Sequence, residues 1–155
     1  KNLKREAEIR GINPERIVFT KHLNLEEHLA RLKFVDLFLD TFPYNAHTTC
    51  SDALRSGIPV LTIEGKSFAS RVAASLLSVM NLDELIVKTN EEFEKKAIDI
   101  SNNSDELKIL KEKVINNKSN SNLFKTDIFT RNLEKSYMAI YENYIEGKEP
   151  RDFKL

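Results

Sequence analysis

The chain has 155 residues, 41% of them apolar, which suffices for one packed core and excludes a disordered chain. Its 24 basic and 24 acidic residues cancel, so no global field draws in nucleic acid or an anionic membrane, and any anion must be captured locally. The single cysteine, Cys50, excludes an internal disulfide framework and a CxxC-type zinc cluster and fits a reducing, cytoplasmic setting, while no apolar run approaches the roughly 20 residues needed to cross a bilayer.

Residues 1–10 are polar and helix-like, lack the apolar core of a secretion signal, and do not begin with methionine. The chain is therefore expected to be a piece of a larger protein, with residues 1–155 forming a single domain. Gly11 stands where a helix end often needs a left-handed residue, and Asn13-Pro14 continues the turn. Ile17, Val18 and Phe19 predict a short buried strand. Leu25, Leu29 and Leu32 mark one face of a helix, with Asn24 as its cap and Glu26 and Glu27 in its first turn.

The same order then recurs. Residues 35–39, apolar except for Asp36, predict a strand covered on both faces; residues 49–56 predict a helix stopped by Gly57; and residues 59–63 predict a third strand. Phe68, Val72, Leu76 and Met80 recur every four residues, as one face of a helix does, and residues 85–87 predict a fourth strand. Beyond Asn90 the pattern is helical, through Phe93, Ala97 and Ile100 and then Leu107, Leu110 and Val114. The asparagine- and serine-rich residues 116–122 predict a loop, and Phe129, Leu133, Tyr137, Tyr141 and Tyr144 a long last helix ending at Gly147. Strands alternating with helices imply right-handed βαβ crossovers and an α/β, Rossmann-like, mainly parallel sheet flanked by helices, with a helical C-terminal end.

In such sheets ligands bind beyond the carboxyl ends of strands, where helix N-termini offer free amides and a positive dipole end. Two places qualify. At His47-Thr48-Thr49, before a helix, hydroxyls and amides together can hold a pyrophosphate, with His47 as an extra donor and Asp52 as an acceptor for ribose hydroxyls. The same residues fit a plainer role, a threonine capping the helix and Asp52 complementing its dipole. At the second place His28, one turn into its helix, can meet a base or phosphate, or be an ordinary surface histidine.

Weaker candidates are a metal site gathered from His22, His28, His47 and Asp52, whose spacing matches no zinc signature, and Cys50 as a nucleophile rather than a small buried side chain. Lys66 and Arg71 can reach a phosphate or remain solvated charges. Neither GxGxxG nor GxxxxGK[ST] occurs. Tyr137, Tyr141 and Tyr144 either pack on the sheet or form a protein interface.

The run His47-Thr48-Thr49, then Asp52, Leu54, Gly57 and Pro59-Val60, followed by Ser70-Arg71-Val72-Ala73-Ala74-Ser75-Leu76, resembles the C-terminal catalytic lobe of the O-linked N-acetylglucosamine transferase family, including bacterial members fused to tetratricopeptide repeats. Arg16-Ile17-Val18-Phe19, Glu26-Glu27-His28 and Leu39-Asp40-Thr41 resemble the same family in the same order. The resemblance implies the C-terminal lobe of a GT-B glycosyltransferase that holds a UDP-sugar donor, UDP-N-acetylglucosamine first, without a required metal or other cofactor. It implies His47, Thr48 and Thr49 at the diphosphate, Asp52 at the ribose, His28 at the uridine, the loop around Leu23 against the base, and Arg31 at the nucleotide edge. It places the phosphate-binding lysine, the acceptor-facing groups, the N-terminal lobe and tetratricopeptide repeats outside this chain, so no catalytic residue is expected within it, and it leaves a sheet edge exposed or paired with another copy.

Leu25 stands where animal members have a lysine, which removes a charged contact near the nucleoside. Cys50 stands where they have glycine, which is expected to narrow the space beside the phosphates. The function implied is transfer of N-acetylglucosamine, or a related hexose, to serine or threonine of proteins. The alternatives are a non-catalytic nucleotide- or protein-binding module and a GT-B transferase with a small-molecule acceptor.

Overall fold

A computed structural model describes residues 2–153. Three short parallel strands, β1 (Phe38–Leu39), β2 (Val60–Ile63) and β3 (Ile86–Val87), form a sheet in the order β1-β2-β3. Phe38 pairs with Val60 and Thr62 with Ile86, and the ladder extends through Asp40 N–H, which donates to Leu61 O at 3.0 Å. β2 is buried along its whole length, as a central parallel strand must be. Helix α3 (Thr48–Arg55) connects β1 to β2 and α4 (Val72–Val79) connects β2 to β3, and both pack against β2. The core lies between them, built from Leu54, Val60, Leu77, Met80, Leu82 and Leu85, and is closed by Ile100 of α5 (Asn90–Asn102) and Val114 of α6 (Ser104–Asn120).

Local chemistry sets the ends of these elements. Asn24 caps α2 (Leu25–Leu32), its side chain accepting from Glu27 N–H at 2.9 Å, and Thr89 and Glu92 close a capping box on α5. α1 (Asn2–Ile9) is followed by Gly11 at φ +72°, α3 by Gly57 at φ +84°, and α7 (Thr126–Ile145) by Gly147 at φ +66°. All three positions fell to glycine because a side chain resists the left-handed region.

Four expectations from the sequence are corrected. Ile17 to Phe19 form no strand: Val18 and Phe19 are 78% and 59% exposed, and no neighbouring strand among the described residues offers them a ladder. The strand expected over residues 35–39 shortens to its last two, because Val35 N–H turns back to Leu32 O at 2.9 Å and finishes the turn after α2. The apolar face of α4 is Ala73, Ala74 and Leu77 with Met80 just beyond, while Phe68 lies in a separate 3-10 turn and is 75% exposed. The loop expected over residues 116–122 is helix through Asn120, since tertiary bonds hold its end: Asn117 Nδ2 donates to Met80 O at 2.6 Å and Lys118 Nζ to Arg55 O at 2.9 Å.

The last helix also departs from packing on the sheet: α7 buries none of its residues, and Tyr137, Tyr141 and Tyr144 are exposed. The core is already closed by Leu123 and Phe124, which precede it. Among the described residues β1 lies at the sheet edge, with Leu39 half exposed. No helix of the described residues is long and apolar enough to cross a membrane.

Gly11 and Gly57 separate conformational cost from crowding. A Cβ at Gly11 meets open space, whereas one at Gly57 would lie 3.2 Å from Ile115 Cγ1. Gly11→Ala is expected to cost about 1 kcal/mol from left-handed strain alone, and Gly57→Ala more. Thermal unfolding of the two variants checks the order; equal or reversed losses would contradict it.

Candidate nucleotide site

The β1–α3 loop and the segment before α2 converge at the carboxyl end of β1. Leu23, Leu25, His28, Arg31, Thr49 and Asp52 line a cleft of about 420 Å³, together with His22 and Asn24. His47, Thr48 and Thr49 line a second cleft of about 470 Å³ with Asp40, Tyr44 and Asn45. Thr49 belongs to both, so the two clefts meet at the first turn of α3. All seven site residues expected from the sequence lie in one cleft or the other.

The start of α3 is not capped by a side chain. Its N-cap residue is His47, whose ring makes no capping bond, and Thr48 and Thr49 fall inside the first turn. A threonine cap is therefore overturned, and the amides of Thr48, Thr49 and Cys50 find no acceptor among the described residues. Unspent amides at the positive end of a helix dipole are donors for an anion. His47 is instead fixed from the side: its ring stacks on Tyr44 at 5.2 Å, meets Phe68 edge-on at 5.9 Å, and its Nε2 lies 3.3 Å from Ala69 O. Nε2–H donating to that carbonyl leaves Nδ1 as the ring's second polar atom.

In the other cleft Arg31 organises its neighbours. Nη1 donates to Thr20 Oγ1 at 2.9 Å and to Lys21 O at 3.0 Å, and Nη2 lies 2.8 Å from His28 Nδ1. A guanidinium can only donate, so Nδ1 of His28 is the acceptor and the ring's N–H is on Nε2. The Asp52 carboxylate, half-buried in the cleft, has no hydrogen bond or ion pair from another side chain among the described residues, which leaves its oxygens available to hydroxyls. Leu25, 65% exposed, adds hydrocarbon and no charge to this cleft.

The weaker candidates separate from the site. Among the described residues no group of three or more histidine, cysteine, aspartate and glutamate side chains gathers as a metal would need, so His22, His28, His47 and Asp52 do not form such a cluster. Arg71 lines a different cleft, with Glu64 and Phe68. Cys50 points into the core and is fully buried, so it does not narrow the space beside Thr48 and Thr49. Burial pushes its thiol up to about 12, with the nearby charge of Asp40 adding to the shift, which removes it as a nucleophile at neutral pH.

Sequence reasoning missed the support beneath the loop. Asp40, Asn45 and Thr62 are buried polar residues joined by hydrogen bonds under the second cleft. The one sequence signal was an aspartate at the end of an apolar strand.

The model of the family described as glycosyl transferase family 41 matches residues 1–133. The chain belongs to this family. It is 35% identical over 138 residues to the UDP-N-acetylglucosamine–peptide N-acetylglucosaminyltransferase of Caenorhabditis elegans, covering 89% of this chain and 12% of that protein. To the Arabidopsis thaliana protein named as a probable enzyme of the same kind, SEC, it is 34% identical, covering 96% of this chain and 15% of that one. Among solved structures, a mutant of the Thermobaculum terrenum O-GlcNAc transferase superposes with a TM-score of 0.85 at 32% identity, over 92% of this chain and 27% of that one. The fold is thus the C-terminal GT-B lobe of family 41, and the chain spans under a third of each of these relatives.

The thiol gives a test of the local packing. In the unfolded chain it ionises near 9, and in the folded chain near 12, so the folded form binds the extra proton between these values and loses stability as pH rises through that window. Native protein is expected to resist alkylation at pH 9 and to react fully in denaturant. Rapid alkylation of the native form would place Cys50 outside the core.

Proposed function

We propose that residues 1–155 are one nucleotide-sugar-binding lobe, the donor half of a glycosyltransferase that moves N-acetylglucosamine, or a related hexose, from UDP to serine or threonine hydroxyls of proteins. The observation that carries this reading is the meeting at Thr49 of two clefts, one beside an uncapped helix start and one holding an unpaired carboxylate and an Nε2-protonated imidazole. A diphosphate on the amides of Thr48 and Thr49 would then have its ribose within the cleft of Asp52 and its base in that of His28, with Leu23 beside it. Arg31 acts at the nucleotide edge by holding the His28 ring. Family membership supports the donor, since the relatives' names specify UDP-N-acetylglucosamine and peptide.

The chemistry follows from charge. As the acceptor oxygen bonds to the anomeric carbon, the bond from that carbon to the β-phosphate oxygen breaks and its electron pair leaves with UDP. Helix amides and the threonine hydroxyls, with His47 beside them, stabilise that charge in the transition state more than in the ground state, which accelerates the step without a divalent metal. The acceptor's proton leaves to a base outside this chain, in an N-terminal lobe that tetratricopeptide repeats would precede.

Calorimetric titration of the full-length protein with UDP tests the reading. Binding is expected, and Asp52→Ala is expected to weaken it. Loss of one transition-state donor in Thr48→Ala is expected to lower turnover by about 10²- to 10³-fold. No binding at millimolar UDP, or unaltered kinetics in Thr48→Ala, would overturn the proposal.

A further inference from the structure

The loop between β1 and α3 is held by a chain of buried hydrogen bonds whose directions chemistry fixes. Asp40, 9% exposed, accepts on Oδ1 from Thr41 N–H at 2.8 Å and from Ala46 N–H at 2.7 Å, so one oxygen joins the two ends of the loop. Its Oδ2 accepts from Thr62 Oγ1 at 2.7 Å, in the central strand β2. Thr62 Oγ1 in turn accepts from Asn45 Nδ2 at 2.8 Å, and the same Nδ2 donates to Ile63 O at 2.7 Å.

No other arrangement of protons works. Turning the Asn45 amide over would set its oxygen against the Ile63 carbonyl, two acceptors face to face. Nδ2 must therefore donate to Thr62, whose only proton then goes to the carboxylate. The order is kept even though it leaves Asn45 Oδ1 buried without a partner, a cost that an apolar residue would avoid. Asp40 takes three donors on its two oxygens, so three of its roughly four acceptor sites are engaged by the fold.

The relay ends where the site begins. Asn45 N–H donates to Ala69 O at 3.1 Å, the same carbonyl that His47 Nε2 reaches, and Thr48 and Thr49 follow directly. We propose that Asp40, Thr62 and Asn45 are positioning residues that set the distance between the core strand β2 and the His47-Thr48-Thr49 cradle, and so its fit to a nucleoside diphosphate. This rests on the donor-binding reading above. None of the three needs to touch the ligand: a buried strand hydroxyl fixes where the amides of the next helix start.

UDP calorimetry on the full-length protein tests it with Thr62→Val, which keeps the shape and removes the hydroxyl, and Thr62→Ser, which keeps the hydroxyl. Thr62→Val is expected to raise the UDP dissociation constant about tenfold at unchanged stoichiometry, and Thr62→Ser to stay within about twofold of wild type. A merely structural role would lower the stoichiometry, through a misfolded fraction, and leave the constant of the folded fraction alone; that result overturns the inference. Asp40→Asn carries the same test if Thr62→Val does not fold, because an amide cannot accept from both sides. Weaker UDP binding is expected there, and tighter binding would mean that the carboxylate acts only by repelling the phosphates, which also overturns the inference. Wild-type binding unchanged in the variants refutes the relay alone, whereas wild-type protein that does not bind UDP refutes the donor reading and the relay with it.

Discussion

A buried carboxylate that must satisfy its oxygens constrains most of what surrounds the site. Asp40 ends an edge strand, yet it draws donors from the loop after it and from the central strand beside it. Removing an ion from water is costly unless hydrogen bonds replace hydration, so the loop can depart from this geometry only by exposing or orphaning the charge. That closes the space between β1 and α3 and delivers the helix start at one height above the sheet. The parallel ladder does the rest: β2, buried throughout, fixes β1 on one side and β3 on the other.

The helix start so placed is left open. α2, α5 and α6 each begin with a side chain bonded to a first-turn amide, through Asn24, Thr89 and Asn103, whereas α3, like α4 and α7, begins without one, and the residue before α3 turns its ring sideways onto Tyr44 and the Ala69 carbonyl. Forgoing a side-chain cap costs about 1 kcal/mol of helix stability. In a chain with no net charge, that sacrifice creates a local attraction for an anion where composition provides none. In the neighbouring cleft Arg31 directs its charge onto the Thr20 hydroxyl, the Lys21 carbonyl and the His28 ring.

Elements governed by local chemistry were legible in the sequence. Asn24 announced α2, Gly57 the end of α3, and Gly147 the end of α7, because caps and left-handed residues act within one turn. Of the candidate site residues, His47, Thr48, Thr49 and Asp52 were legible where a strand hands over to a helix and His28 one turn into α2, whereas Leu23 and Arg31 came only through the family resemblance; all seven line the two clefts. What depended on distant partners was not. The asparagines at 116 and 117 look like a loop until the Met80 and Arg55 carbonyls are there to hold the helix, and Val18 and Phe19 look like a strand until no neighbour is found for them. Thr62 reads as one more β-branched strand residue, and its hydroxyl acquires meaning only when the fold sets it between Asn45 and Asp40.

The central claim is that the open first turn of α3 receives a diphosphate. A crystal structure of the full-length protein with UDP tests it most directly. Phosphate oxygens are expected within hydrogen-bond distance of the Thr48 and Thr49 amides, with ribose hydroxyls on Asp52 and the base beside His28. A diphosphate bound elsewhere, with the start of α3 still unoccupied, would contradict it.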